Sequence, residues 1–432
     1  MDTTPFSRAA ESCGRMLSFL ISWTSCRIWI ICHLLHMCTT LSFCQKNKTG
    51  ETMRIVINST VTSQKEKTGI ATFASNLLKA INKLAADNSY DIFTLNDREL
   101  EAAGKEGFKI HSFPGLFHRL PVEFSWICWY LWQYTGFNLQ LGAIKPDVYL
   151  SLDFSLPGYR KCPRVCMVYD LTPLLLEGAY PARFKARYKM QVDHAVKHAD
   201  IVVTISEAAR KDILAYFTVD PEKIKVIYPG FDESTFTPEK DPENDSGVLH
   251  GHGINYPYIL YLGALENKKN IPRLIEAFEK VKKDVDIPHR LVLGGKRSWN
   301  DVEIFKKIDG SPVRNDISYI GYVPYRDLPV LLRNADVFVF PSLSEGFGIP
   351  PLEAMACGVP VITSDSSSLP EVVADAGLLV DPHDVDMMAG AVSRVLSDRE
   401  LRLDMINRGL QRAKLFSWQK AAQDMLDILA KV

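Results

Sequence analysis

The sequence predicts an α/β protein made of two doubly wound domains. Short apolar runs rich in Val, Ile and Tyr alternate with helical patterns from Met53 to the carboxyl terminus. The runs lack strict alternation, as expected of strands covered on both faces of a parallel sheet. The pattern also starts twice, on either side of a polar stretch, so 432 residues divide into two domains of ordinary size. The 50 Lys+Arg against 51 Asp+Glu give a net charge of -1, which argues against nucleic acid as the main partner. A charged fraction of 23% with 10% aromatics excludes a disordered chain.

The first 52 residues stand apart. Cys13, Cys26, Cys32, Cys38 and Cys44, five of the 9 cysteines, fall here, and Met16 to Cys44 is almost wholly uncharged. That run is long enough to span a membrane, but Arg27 lies near its middle. No basic cluster precedes it and no small-x-small site follows, as a signal peptide requires. Three readings stay open: an extension from an upstream start, a membrane anchor, or a signal segment. Cys128, Cys162, Cys166 and Cys357 show no C-x2-C spacing and no paired His, so no metal site is expected. Reduced, buried thiols of a cytoplasmic protein fit them better.

An amino-terminal domain is expected over residues 53–240. It opens on the strand MRIVINST and a helix with apolar positions Ile70, Phe73, Ala74, Leu77, Leu78, Ile81 and Leu84, the period of one buried face. YDIFTL, KPDVYLSL, PRVCMVYD, ADIVVTIS and KIKVIYPG are further strands. Between Phe124 and Phe137, Trp126, Trp129, Tyr130, Trp132 and Tyr134 crowd together. This segment reads either as a core helix or as an interfacial patch for a lipid-bearing substrate or a membrane surface. Thr237 to Pro257, polar and rich in Pro, Gly and Asp, reads as a linker or edge loop. The second domain, 256–415, carries YILYLG, RLVLGG, ISYIGYV, ADVFVFPS, VPVITS and GLLVDP. ADIVVTIS and ADVFVFPS read as the same element in the two halves. Asp384 to Val432 gives two or three helices, with 416–432 expected to pack back on the first domain.

The chemistry concentrates in PSLSEGFGIPPLEAMACGVPVITSD, Pro341 to Asp365. This block follows the strand ADVFVF, so its loop lies at a strand's carboxyl end, where open α/β sheets bind ligands. Gly346 and Gly348 allow close approach, and Pro350 and Pro351 suit a helix start. Free N–H groups there form an anion site, and phosphate is the obvious anion. Glu345 and Glu353 frame it. Acids so near a phosphate are tolerable where each points at hydroxyl groups, and a nucleotide sugar supplies both hydroxyls and diphosphate. Capping of the helix by the acids is the plainer alternative. In YLGALENKKNIPRLIEAF, Gly263 ends a strand and Lys268 and Lys269 precede a helix, which fits diphosphate neutralisation or an ordinary solvated turn.

These blocks, with VYDLTPLL and TISEAARKDILAYFTVDPEKIKVIYPGFD, resemble family-4 (group 1) retaining glycosyltransferases in the expected order from Met53 onward. VYDLTPLL and LENKKN resemble mannosyltransferases of bacterial surface-polysaccharide assembly. The resemblance implies a GT-B architecture, two Rossmann-like domains facing each other across a cleft, with donor on the carboxyl-terminal half and acceptor on the other. It assigns donor-sugar hydroxyls to Glu345 and the ribose diol to Glu353. The sugar and phosphate fall to the N–H groups near Gly346, Phe347, Gly348 and Ile349, and the diphosphate to Lys269 with Lys268 and Gly263. Gly69 belongs to the amino-terminal phosphate loop, Tyr169 and Asp170 to the acceptor side, and Tyr322 and Val323 to the base-edge turn; Asp170 counts with Glu345 and Lys269 as catalytic, with capping of a helix its alternative. No metal or other cofactor is implied. The implied partners are a nucleotide sugar (GDP-mannose first, a UDP-hexose second) and a glycan or lipid-linked acceptor, at a cytoplasmic site with peripheral membrane contact. Two residues depart from the family pattern: Ala264 stands where many members carry Arg, and Tyr169 where many carry His. The competing functions are a sugar-nucleotide epimerase and a degenerate nucleotide-sugar-binding module.

Overall fold

A computed structural model describes residues 52–63, 69–84, 88–94, 108–112, 131–176, 180–298 and 301–432. The apolar amino-terminal run and the start of the aromatic segment, up to Tyr130, lie outside the described residues. Two compact units are present. The smaller includes 131–147 and 157–162, with a helix at Gly136–Ile144. In it Trp132 stacks on Phe137 at 5.2 Å, both rings buried, so the described end of the aromatic run is core.

The larger unit holds two wholly parallel sheets. The first comprises β1 (Arg54–Asn58), β2 (Ser89–Thr94), β3 (Phe108–Ser112), β4 (Val148–Ser151), β5 (Arg164–Met167), β6 (Ile201–Thr204) and β7 (Ile224–Val226), in the order β3-β2-β1-β4-β5-β6-β7. The second comprises β8 (Tyr258–Leu262), β9 (Arg290–Gly294), β10 (Ile317–Gly321), β11 (Val337–Phe340), β12 (Val361–Ser364) and β13 (Leu378–Val380), in the order β10-β9-β8-β11-β12-β13. Strand order reverses at β1/β4 and again at β8/β11, and ligand crevices open at such switch points.

Three expectations need correction. β3 was not expected: its sequence, FKIHS, places an exposed Lys109 in a short edge strand and carries little apolar signal. The stretch read as a linker contains a helix, Pro242–Gly251. It is built on a cap and a buried ion pair rather than an apolar face. Asp241 caps it and Asp245, 4% exposed, binds Arg333 and Asn334. Finally, ADVFVFPS is not the counterpart of ADIVVTIS. β11 occupies the fourth place in its sheet, as β4 does in the first, whereas β6 occupies the sixth.

The Gly69–Leu84 helix buries Phe73, Ala74, Leu77, Leu78 and Ile81, while Ile70 and Leu84 at its ends are exposed. The chain ends in three helices, Val385–Ser397, Arg399–Ala413 and Trp418–Leu429. The last packs on the Gly69–Leu84 helix, with Trp418 edge-on to Phe73 at 5.3 Å. Among the described residues, no helix is long and apolar enough to cross a membrane.

Candidate functional site

Loops from the carboxyl ends of β8 and β11, neighbours at the second switch point, build the site. After β11 the chain turns through Pro341–Gly348 into the helix Ile349–Ala356. Gly348 holds φ +120°, a conformation side chains oppose. The N–H groups of Gly346, Phe347, Gly348 and Ile349 donate to no protein acceptor among the described residues. Four such donors at a helix start are an anion cradle. The Phe347 ring is buried and packs near Tyr228 and Phe416 (5.9 and 5.6 Å), so the residue offers its backbone and not its side chain.

The turn after β8 brings the cations. Lys269 is 9% exposed; its Nζ donates to Glu345 Oε1 at 2.6 Å and lies 5.0 Å from the centre of the Phe340 ring. Lys268 lies 3.7 Å from Glu266. Burial disfavours its charge, but Glu345, Glu266, Tyr180 and Asp170 outweigh that and hold its pKa above the ordinary lysine value. Lys268 therefore supplies firm positive charge from the same turn that carries Ala264.

The two acids are driven apart. Burial pushes the Glu345 carboxyl up, yet the charges of Lys269 and Lys268, with hydrogen bonds from Lys269 and Ser342, hold it below the usual value. Glu353 has no such partner among the described residues. Burial, then the nearby charge of Asp232, pushes its carboxyl up to about 8. Tyr325 stands near Glu353 and Asp232, and burial with their charges raises its pKa. Of the base-edge turn, Val323 is buried under Gly294 whereas Tyr322 is 69% exposed.

From the other sheet, Asp170 reaches the signature loop. Its Oδ1 accepts the Thr172 N–H at 2.8 Å, and a Cβ added at Gly346 would fall 2.7 Å from its Oδ2. Glycine at 346 thus makes room for Asp170. Thr172 and Ser344 also meet, at 3.3 Å between hydroxyls. Tyr169 does not join them, and its acceptor-side assignment is corrected. Its hydroxyl donates to Leu152 O at 2.8 Å and its ring packs edge-on to Phe73, inside the amino-terminal core. Gly69 starts its helix with no described atom within 4 Å of where a Cβ would stand, and the loop before it lies outside the described residues.

Sequence comparison decides the family. The profile described as "Glycosyl transferases group 1" matches residues 250–412, and "Glycosyltransferase Family 4" matches 67–235. "O-antigen chain mannosyltransferase B" of Escherichia coli is 34% identical over 66% of this chain and 74% of its own length. The chain belongs to the group 1 glycosyltransferases. A second relative of this glycosyltransferase, "O-antigen chain mannosyltransferase RfbU" of Salmonella typhimurium, is 25% identical over 77% of the chain and 88% of its own length. The E. coli "Serotype-specific mannosyltransferase WbdA" is longer, and the chain spans 37% of it. Among solved structures, a Rickettsia africae glycosyltransferase has a TM-score of 0.68 at 17% identity, covering 88% of this chain and 98% of its own. Anabaena HepE, in complex with UDP and glucose, has a TM-score of 0.66 at 18% identity, covering 88% of this chain and all (100%) of its own. The fold of the glycosyltransferase is accordingly GT-B.

Several residues around the site of this glycosyltransferase escaped the sequence reading. Asp232 faces Glu353 from a segment far away in the chain, and no local pattern reports it. Glu371 accepts the N–H groups of Glu207 and Ala208 (2.8 and 2.9 Å) and the Tyr228 hydroxyl (3.0 Å), joining the two Rossmann-like halves. Ser342 and the serines of TSDSSSL surround Glu345. The serine run itself was a usable signal.

Proposed function

We propose that this glycosyltransferase moves a mannosyl group from GDP-mannose to a hydroxyl of a glycan or lipid-linked glycan, with the anomeric configuration retained. The observation that carries the reading is the buried Lys269–Glu345 pair beside four open N–H groups at a helix start. Lysines and helix dipole stabilise charge growing on the departing diphosphate. Glu345 takes hydroxyls of the hexose and Glu353 the ribose diol. The transition state is oxocarbenium-like. Since lysines stand at the phosphates, the reading needs no divalent ion, and the departing phosphate takes the acceptor proton on the same face.

The mannose assignment draws on the relatives named as O-antigen mannosyltransferases. A UDP-hexose is second, in view of the UDP and glucose held by HepE. Peripheral contact with the cytoplasmic membrane surface draws support from the Ala182–His198 helix, whose Arg183, Arg187 and Lys189 are exposed beside Phe184 and Met190. The test is thermal unfolding with GDP-, UDP- and ADP-sugars, because a ligand of the native state raises apparent stability. A shift with GDP-mannose, followed by mannosyl transfer that survives chelator, is the expected result. A shift with a UDP-hexose alone would replace the donor assignment.

A further inference from the structure

We propose that Ser342, supported by Ser364, Ser366, Ser367 and Ser368, is a positioning residue that fixes the Glu345 carboxylate with one oxygen occupied and the other left open for the donor hexose. The inference rests on the reading of Glu345 as the group that takes donor-sugar hydroxyls. Ser342 is fully buried, and its Oγ touches Glu345 Oε1. It also lies 3.1 Å from Lys268 O, but a serine has one proton to give. That carbonyl already accepts the Leu343 N–H at 2.8 Å, so the proton goes to the anionic Oε1. Lys269 donates to the same Oε1. Oε2 takes no hydrogen bond among the described residues. A carboxylate pinned at one oxygen is preorganised at the other.

The serines after β12 hold the loop that carries this group. Ser364 donates to Ser342 O, and Ser366 to Leu343 O at 3.1 Å. Ser367 accepts the Glu345 N–H at 2.9 Å, and Ser368 bonds Phe347 O at 2.6 Å. No strand or helix ladder satisfies these loop groups, so side-chain hydroxyls do. Among the described residues, the charged and titratable groups around Glu345 are Lys268 and Lys269 from the turn after β8, Tyr261 of β8, and Tyr180 ahead of the Ala182–His198 helix, with Glu266 and Asp170 sharing Lys268 with it.

The test compares Ser342→Ala and Ser364→Ala with the parent enzyme, and runs Glu345→Ala beside them. Readouts are thermal unfolding, GDP and UDP affinity, and kcat and KM along the acid limb of the pH profile. Ser342→Ala should leave diphosphate affinity within about twofold, since the diphosphate carries no hexose, and lower kcat roughly tenfold. Its acid limb should move about half a unit or more to higher pH, because one hydrogen bond to the ionised carboxylate is gone. Ser364→Ala touches only a backbone carbonyl and should lower thermal stability without moving the limb. A Ser342→Ala enzyme with parental kcat and limb, beside an inactive Glu345→Ala, overturns the positioning role alone. Parallel loss of diphosphate affinity, stability and kcat with the limb unmoved shows a merely structural serine and also overturns it. Full turnover in Glu345→Ala removes the underlying reading, and the positioning role falls with it.

Discussion

Glu345 and Glu353 share one loop and helix, yet their surroundings drive their carboxyls in opposite directions. Glu345 is ionised and paired with Lys269. Glu345→Ala should cut turnover by about 100-fold or more while GDP or UDP still binds, the mark of a group used on the sugar at the transition state. Steady-state kinetics with calorimetry of the bare diphosphate checks it. Glu353 behaves otherwise. Its folded pKa, about 8, lies above the ordinary 4.5, so the ligand-free fold binds more protons than the unfolded chain between those values. This acid's contribution to stability is full below about 4.5 and is lost as pH rises through about 8. Glu353→Gln should flatten that part of the melting-temperature profile. A ribose diol donates hydrogen bonds and favours the ionised acid, so nucleotide binding near pH 7 should release protons. Calorimetry in buffers of different ionisation enthalpy measures the release, and Glu353→Gln should abolish it.

Single side chains also decide elements. The Pro242–Gly251 helix stands in a stretch whose composition reads as linker, because a cap and one buried ion pair replace the missing apolar face. Arg333 donates from Nε and Nη2 to the two carboxylate oxygens of Asp245, and both side chains are almost enclosed. Asp245→Ala would leave that guanidinium buried and unpaired, and should cost about 3–5 kcal/mol in urea unfolding. The signature loop depends on absent atoms instead. Gly346→Ala would set a Cβ 2.7 Å from Asp170 Oδ2 and 3.3 Å from Ile205 Cδ1, so the two loops would have to part. The expected result is a fall in kcat/KM of about tenfold or more, with the melting temperature little changed. Ala264 fits this scale as well. The turn that lacks Arg offers Lys268, whose charge four neighbouring groups hold in place.

Across the larger unit, the two Rossmann-like halves meet through polar and aromatic contacts at the signature loop, in addition to the Trp418–Leu429 helix lying on the Gly69–Leu84 helix. Glu371 places its carboxylate on the first N–H groups of the Glu207–Tyr216 helix, where the dipole favours an anion, and also takes the Tyr228 hydroxyl. Tyr228 in turn leans on Phe347 of the signature loop. Glu371→Ala removes all three hydrogen bonds. It should enlarge the radius of gyration in small-angle scattering of the ligand-free protein, and a saturating donor should reverse most of the change. An unaltered scattering curve would show that these contacts do not hold the halves together.

Every described strand but β3, the paired glycines of the signature loop, the two acids and the lysine turn are legible in the sequence, because each leaves a local mark, whereas FKIHS at the sheet edge leaves almost none. Apolar runs report burial on both sheet faces, Pro after Gly reports a helix start, and Lys beside such a start reports an anion site. What is not local cannot be read this way. Only the tertiary structure turns Tyr169 away from the site, because its ring finds Phe73 and its hydroxyl finds Leu152 across the sheet. The folded chain likewise brings Asp232 to Glu353, Glu371 to a helix start in the other half, and a row of serines to the loop of Glu345. Sequence fixes which groups each turn offers; the charge each carries and the direction it faces depend on partners from distant strands, whose arrival at one crevice is a property of sheet order.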